Sequence, residues 1–130
     1  MKKLLILLFS LLISFNSYSE WSYFSDNIDR HKFYISDDSI NEIDGYVYFW
    51  TMENYKEPQL SYELLSVKRY KKGDCQLNQT SQLMWIGFKK LNGLEEVARL
   101  KVRESDLEWK YLAPGTVNWD ILNYVCDYVD

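Results

Sequence analysis

The chain has 130 residues, with 15 Lys and Arg against 19 Asp and Glu, a formal charge of −4 and a single histidine. That balance repels a phosphate backbone, so nucleic acid is not an expected partner. At 17% aromatic residues, with five glycines and two prolines, it reads as a packed β-rich chain and not a disordered one.

Residues 1–19 read as an export signal. Lys2 and Lys3 form a positive start, residues 4–13 a short, nearly unbroken apolar run, and Ser17 and Ser19 place small residues at −3 and −1 of a cut before Glu20. The run is well short of the ~20 residues that span a bilayer as a helix, so no membrane span is expected. No cysteine follows it, so no lipid anchor is expected either. The expected localisation is therefore periplasmic or secreted, and loss of Lys2 and Lys3 takes the charge from −4 to −6. Residues 20–130 then make a single domain, enough chain for one core.

Export places Cys75 and Cys126, the two cysteines, in an oxidising space where a pair is normally a disulfide. Only one pairing exists within the chain. It closes a loop of about 50 residues, worth at most roughly 4 kcal/mol by chain entropy; an intermolecular bridge is the alternative.

Trp21-Ser22-Tyr23-Phe24 reads as a first short strand and residues 32–35 as a second. Asp37-Asp38-Ser39 then favours a turn or a single helical turn, because these side chains bond their own backbone. Asp44-Gly45 signals a hairpin into the strongest strand, residues 46–55. On it Tyr46, Tyr48, Trp50 and Met52 point one way, and Val47, Phe49 and Thr51 the other. A strand apolar on both sides belongs at the centre of its sheet with both faces covered. A helix can cover one face; another sheet, a loop or a second subunit has to cover the other. Lys56-Glu57-Pro58-Gln59 is expected to break the pattern. Further strands read over 61–72, 76–88 and 97–102, with turns at Lys71-Lys72-Gly73-Asp74 and Leu91-Asn92-Gly93-Leu94.

The chain closes with a helix. Pro114-Gly115 makes a turn and Thr116 an N-cap. Asp120, Asn123, Asp127 and Asp130 stack on one side at helical spacing. The remaining arc, Trp119, Tyr124 and Tyr128 included, is apolar and needs a large cover. The expected fold is α+β: an antiparallel sheet of about six strands with one C-terminal helix packed on a face and tethered by Cys75–Cys126.

Catalysis has little to stand on. His31 lies between Arg30 and Lys32 and reads as an exposed loop residue, both cysteines are committed, and no triad can be assembled. Zinc would lack nitrogen and sulfur ligands, and the aspartates at 26, 29, 37, 38 and 44 do not have the spacing of a calcium loop. No catalytic residue, metal or cofactor is expected. Trp50, Trp85 and Trp109 are assigned to the core. Lys68, Arg69, Lys71 and Lys72 form the one basic concentration, a solvated strand end or a patch for acidic partners. Tyr46 and Tyr48 join them as binding residues, since tyrosine suits an interface with one wet edge.

Certain features recur in a set order: tryptophan at the mature start, Asp-x-Ser-Ile at 37–40, Val-x-x-Trp at 47–50, Leu-Leu-Ser-Val-Lys at 64–68, Asp74-Cys75, Trp-x-Tyr-x-x-Pro-Gly-Thr at 109–116 and Val125-Cys126. With both cysteines in place, this order resembles the bacterial surface-adhesin protein E family over the whole mature chain. The resemblance implies the same sheet, helix and tether. It also implies a non-catalytic protein-interaction domain that binds extracellular or host matrix proteins and can form a homodimer. The alternative is a small acidic periplasmic inhibitor or immunity-type protein that caps a basic enzyme.

Overall fold

In the computed structural model, which describes residues 21–130, a fourteen-residue strand is the spine of an antiparallel sheet. In chain order the elements are β1 (Trp21–Asp26), β2 (Lys32–Ser36), β3 (Asn41–Ile43), β4 (Tyr46–Gln59), β5 (Leu64–Asp74), β6 (Gln79–Phe88), β7 (Glu96–Lys101), β8 (Lys110–Tyr111) and one helix, α1 (Val117–Val129). The strands lie in the order β1-β2-β4-β5-β6-β7, and the short β3 and β8 pair with β4 and β6. The export signal assigned to residues 1–19 lies outside the described residues.

Local chemistry accounts for the connections. Asp44 and Gly45 both have positive φ, 53° and 85°, the requirement of a two-residue hairpin turn. They join β3 to β4 with Ile43 opposite Tyr46. After β2 the Ser39 hydroxyl donates to the Ser36 carbonyl at 2.6 Å and accepts from the Trp50 N–H at 2.9 Å, so the Asp37–Ser39 turn is tied to β4. Pro58 does not end β4. The β4–β5 ladder is interrupted between Asn54 and Gln59, so the missing proline N–H removes no ladder bond there.

Helix α1 begins where expected. The Thr116 hydroxyl accepts from the Trp119 N–H at 3.3 Å, an N-cap bond. Ile121, Leu122 and Val125 are buried against Phe33, Ile35, Val47 and Phe49, and Cys75 and Cys126 form a disulfide with Cα atoms 6.0 Å apart. The buried stripe is narrower than the sequence pattern implies, because Tyr124 and Tyr128 are exposed. The Tyr124 hydroxyl donates to Asp37 at 2.9 Å, and its ring meets Phe24 edge-on at 5.7 Å. Tyrosine can hold a helix rim with an apolar body and a wet hydroxyl.

The sequence places Gly73 in a turn, but β5 runs through it to Asp74 and the turn begins at Cys75. The Asp74 carboxylate, which accepts from the N–H groups of Gln76 and Leu77, closes that turn. Glycine is required at 73 by packing: a Cβ there would stand 2.6 Å from Leu122 Cδ1 and 2.9 Å from Val47 Cγ2. The helix is seated on the missing side chain. Gly73→Ala should therefore lower stability by about 1–3 kcal/mol through overpacking. Chemical unfolding of the oxidised protein checks it, and an unchanged midpoint would place the helix elsewhere.

Candidate functional site

Alternation along β4 and β5 sorts the predicted binding residues onto two faces. Tyr48, Trp50 and Met52 of β4 stand opposite Lys72, Tyr70 and Lys68 of β5, and all six belong to the face away from α1. Trp50 stacks on Tyr70 with ring centroids 5.1 Å apart, and Tyr48 lies 6.2 Å from Tyr70 on the other side. Tyr46 meets Trp109 at 5.6 Å. The Lys72 ammonium sits over Tyr46 at 4.3 Å and within 5.8 Å of Tyr48 and Trp109, while Lys68 lies over Trp21 and Phe88 at 5.3 and 5.2 Å. Burial between those rings holds the Lys68 ammonium below its ordinary pKa. Two hollows of about 520 and 440 Å³ flank the aromatic row, one beside Trp50 and Lys68, the other beside Tyr48, Tyr70 and Met84.

Among the described residues, one end of this face is covered, and by a loop. Asn54 and Asn92 exchange two hydrogen bonds of 2.8 and 2.9 Å, and the Ser66 hydroxyl donates to the Lys90 carbonyl at 2.6 Å while accepting from the Gly93 N–H. The Leu91–Gly93 turn thereby closes over Met52 and Asn54, both buried. Tyr46, Tyr48, Trp50 and Tyr70 remain half-exposed and Trp109 is exposed. Trp50, Trp85 and Trp109 were assigned to the core, and none is buried there. The core on the helix side is aliphatic plus Phe33 and Phe49, leaving the flat rings for the open side and the margins.

Arg69 and Lys71 point the other way, so the basic run is not one patch. Arg69 Nη1 donates to Glu53 Oε1 at 2.8 Å and His31 Nδ1 lies 3.0 Å from Glu53 Oε2, which engages both oxygens of a nearly buried carboxylate. Arg69 Nη2 also reaches the Tyr55 hydroxyl at 3.3 Å, and His31 meets the Tyr55 ring edge-on at 5.0 Å. His31 is thus a half-buried partner of Glu53 and not an exposed loop residue. Sequence reading missed this pairing because Glu53 looks like one more charge in a polar stretch; its placement on the inward side by period two was the available signal.

Lys71 faces a cavity of about 390 Å³ between the sheet, residues 102–112 and the start of α1. Its ammonium donates to Asn118 Oδ1 at 3.1 Å. Burial, with help from Arg69 and Lys110, lowers its pKa to about 7. Among the described residues no group of three or more His, Cys, Asp and Glu could hold a metal ion, and no helix is long and apolar enough to cross a membrane.

The family described as Surface-adhesin protein E matches residues 21–127. This chain belongs to that family. Among solved structures it resembles crystal form II of Haemophilus influenzae protein E, at 20% identity and a TM-score of 0.61 over 86% of this chain and 91% of that one. Another structure of H. influenzae protein E gives 20% identity and 0.59 over 84% and 85%. Protein E from the non-typeable organism gives 19% and 0.55 over 84% and 76%. Those likenesses establish the shared fold: antiparallel sheet and C-terminal helix. No match is found among curated proteins.

The Lys71 environment has a consequence for stability. The unfolded chain keeps this proton up to its ordinary 10.5, whereas the folded chain releases it above about 7. The unfolded state holds more protons between those values, so stability should rise with pH across that window. Above pH 10 the raised pKa values of Tyr55 and Tyr70 reverse the trend. Lys71→Met should flatten the rise and add on the order of 1–3 kcal/mol at pH 6, a figure discounted because the cavity keeps part of the ammonium wet. Denaturant melts from pH 6 to 9.5 read both effects; a parallel pH dependence in the variant would contradict them.

Proposed function

We propose that this domain acts outside the cytoplasm as a non-catalytic, adhesin-like protein-binding module, and that its open sheet face makes the contact. The observation that carries the reading is the aromatic row of Tyr46, Tyr48, Trp50 and Tyr70, left half-exposed beside Lys68 and Lys72. Rigid aromatic side chains supply contact area at low entropy loss and are enriched at interface hot spots. The lysines set among them favour a partner with an acidic surface. Membership of an adhesin family supports an extracellular or host matrix protein as that partner.

A second copy of the chain is the competing occupant. A two-fold dimer across this face would bring Lys68 and Lys72 close to their own counterparts, so charge favours a foreign partner. The acidic-inhibitor reading draws on the opposite surface, where α1 exposes Asp120, Asp127, Tyr124 and Tyr128 and carries no Lys or Arg. Inhibition of a basic lysozyme on titration, unaffected by changes on the open face, would select it.

The direct test measures binding to immobilised extracellular-matrix proteins for the parent and for Tyr48→Ala, Trp50→Ala and Lys72→Glu. Each variant should keep its melting transition yet bind at least about tenfold more weakly, the loss typical of a hot spot. Equal binding by folded variants, or a parent that binds nothing and scatters light as a dimer, would overturn the proposal.

A further inference from the structure

The cavity beside the helix start holds a charge pattern that the adhesin reading does not use. Its floor is the helix-side surface of β5 and β6, with Lys71 opposite Gln82 and Gly73 opposite Thr80. One wall is the Asn118 end of α1, and the rim carries Asp106, Glu108 and Lys110. At about 390 Å³ it falls within the ~300–1,000 Å³ range of small-ligand sites.

Among the described residues the ammonium of Lys71 has no ionic partner. Glu53, the inward carboxylate nearest in the sheet, has one oxygen on Arg69 and the other at His31. Asp106, at the rim, is paired with Arg103 Nε at 3.0 Å. What Lys71 does have is one neutral acceptor, Asn118 Oδ1. An ammonium has three donors, and the half-buried Lys71 leaves two of them turned to the cavity without a protein acceptor among the described residues. Lys110, exposed at the rim beside Thr80, adds a second cation and makes no ion pair with the described residues.

We propose that this cavity binds a small monocarboxylate, up to the size of an amino acid or sugar acid, with its carboxylate between Lys71 and Lys110. A single negative charge suits the site. Two cations are offered, and the Glu108 carboxylate at the rim disfavours a dianion while leaving a place for a hydroxyl or ammonium on the ligand's far end. The groups facing Lys71 are Glu53 on β4 with His31 behind it, Arg69 on β5, Lys110 on β8, and Asp106 and Glu108 on the connecting segment. Only a charged Lys71 offers the full attraction, so binding should weaken as pH rises above about 7. This site is independent of the open face and stands or falls separately from adhesion.

The test uses the carbon-13-labelled oxidised chain and follows the Lys71 side-chain and Asn118 amide signals during titration with sodium acetate. Sodium chloride at equal ionic strength is the control, and inorganic phosphate a second arm. Acetate should give a saturable shift at both residues, with affinity about tenfold lower at pH 8.5 than at pH 6.5. Lys71→Met should abolish it, with the melting transition confirming the fold, and Lys110→Ala should weaken it several-fold. Shifts that grow linearly and match chloride, that survive in Lys71→Met, or that saturate with phosphate and not acetate would overturn the proposal.

Discussion

The seating of Leu122 and its neighbours in the hollow left by Gly73 is the contact from which the rest of the architecture follows. The hollow exists because β5 carries no side chain at the point where α1 presses on it. Cys75 lies just beyond that strand end and Cys126 one turn after Leu122, so the disulfide holds the same two elements together at the neighbouring level. A thirteen-residue helix is marginal alone in water and owes its order to such docking. With it in place, Val47, Phe49, Phe33 and Ile35 become a dry core.

One helix can dry one side of a sheet. The opposite side of β4 and β5 keeps its rings half in water, and the Leu91–Gly93 turn reaches only the Met52 end. The division is chemical as well as geometric. The helix side holds aliphatic residues with Phe33 and Phe49 under the body of α1, and the polar side chains of Glu53, Arg69 and Lys71 beyond them. The far side holds stacked aromatics bracketed by lysines. An acidic chain thus presents a basic, aromatic surface on one side and a charged cavity on the other, and the residues proposed to bind on each side are different ones.

Much of this was legible in the residue order. The hairpin at Asp44-Gly45, the N-cap at Thr116, the pairing of the two cysteines and the two-faced character of residues 46–52 all follow from local chemistry, which tertiary contacts reinforced. Tyr46, Tyr48, Lys68 and Lys72 share one face of the sheet, with Lys72 over the two tyrosines and Lys68 at the far end of the row. What could not be read were long-range partners. Gly73 looks like a turn glycine until the helix is placed over it, and Pro58 like a terminator until the ladder is seen to be interrupted there. Arg69 and Lys71 look like neighbours of Lys68 and Lys72 in a run, yet period two sends them through the sheet. Size alone places Trp50 and Trp109 in the core, whereas the helix side is filled by Phe, Ile, Leu and Val.

The account rests on one face being sealed by α1 and the other left open to solvent. Hydroxyl-radical footprinting of the free, oxidised protein tests that directly, read residue by residue from mass spectra. Tyr46, Tyr48, Trp50 and Tyr70 should be modified readily, with Phe33 and Phe49 protected. Protection of the four open-face rings in the free protein, or modification of Phe33 and Phe49 at comparable rates, would contradict it.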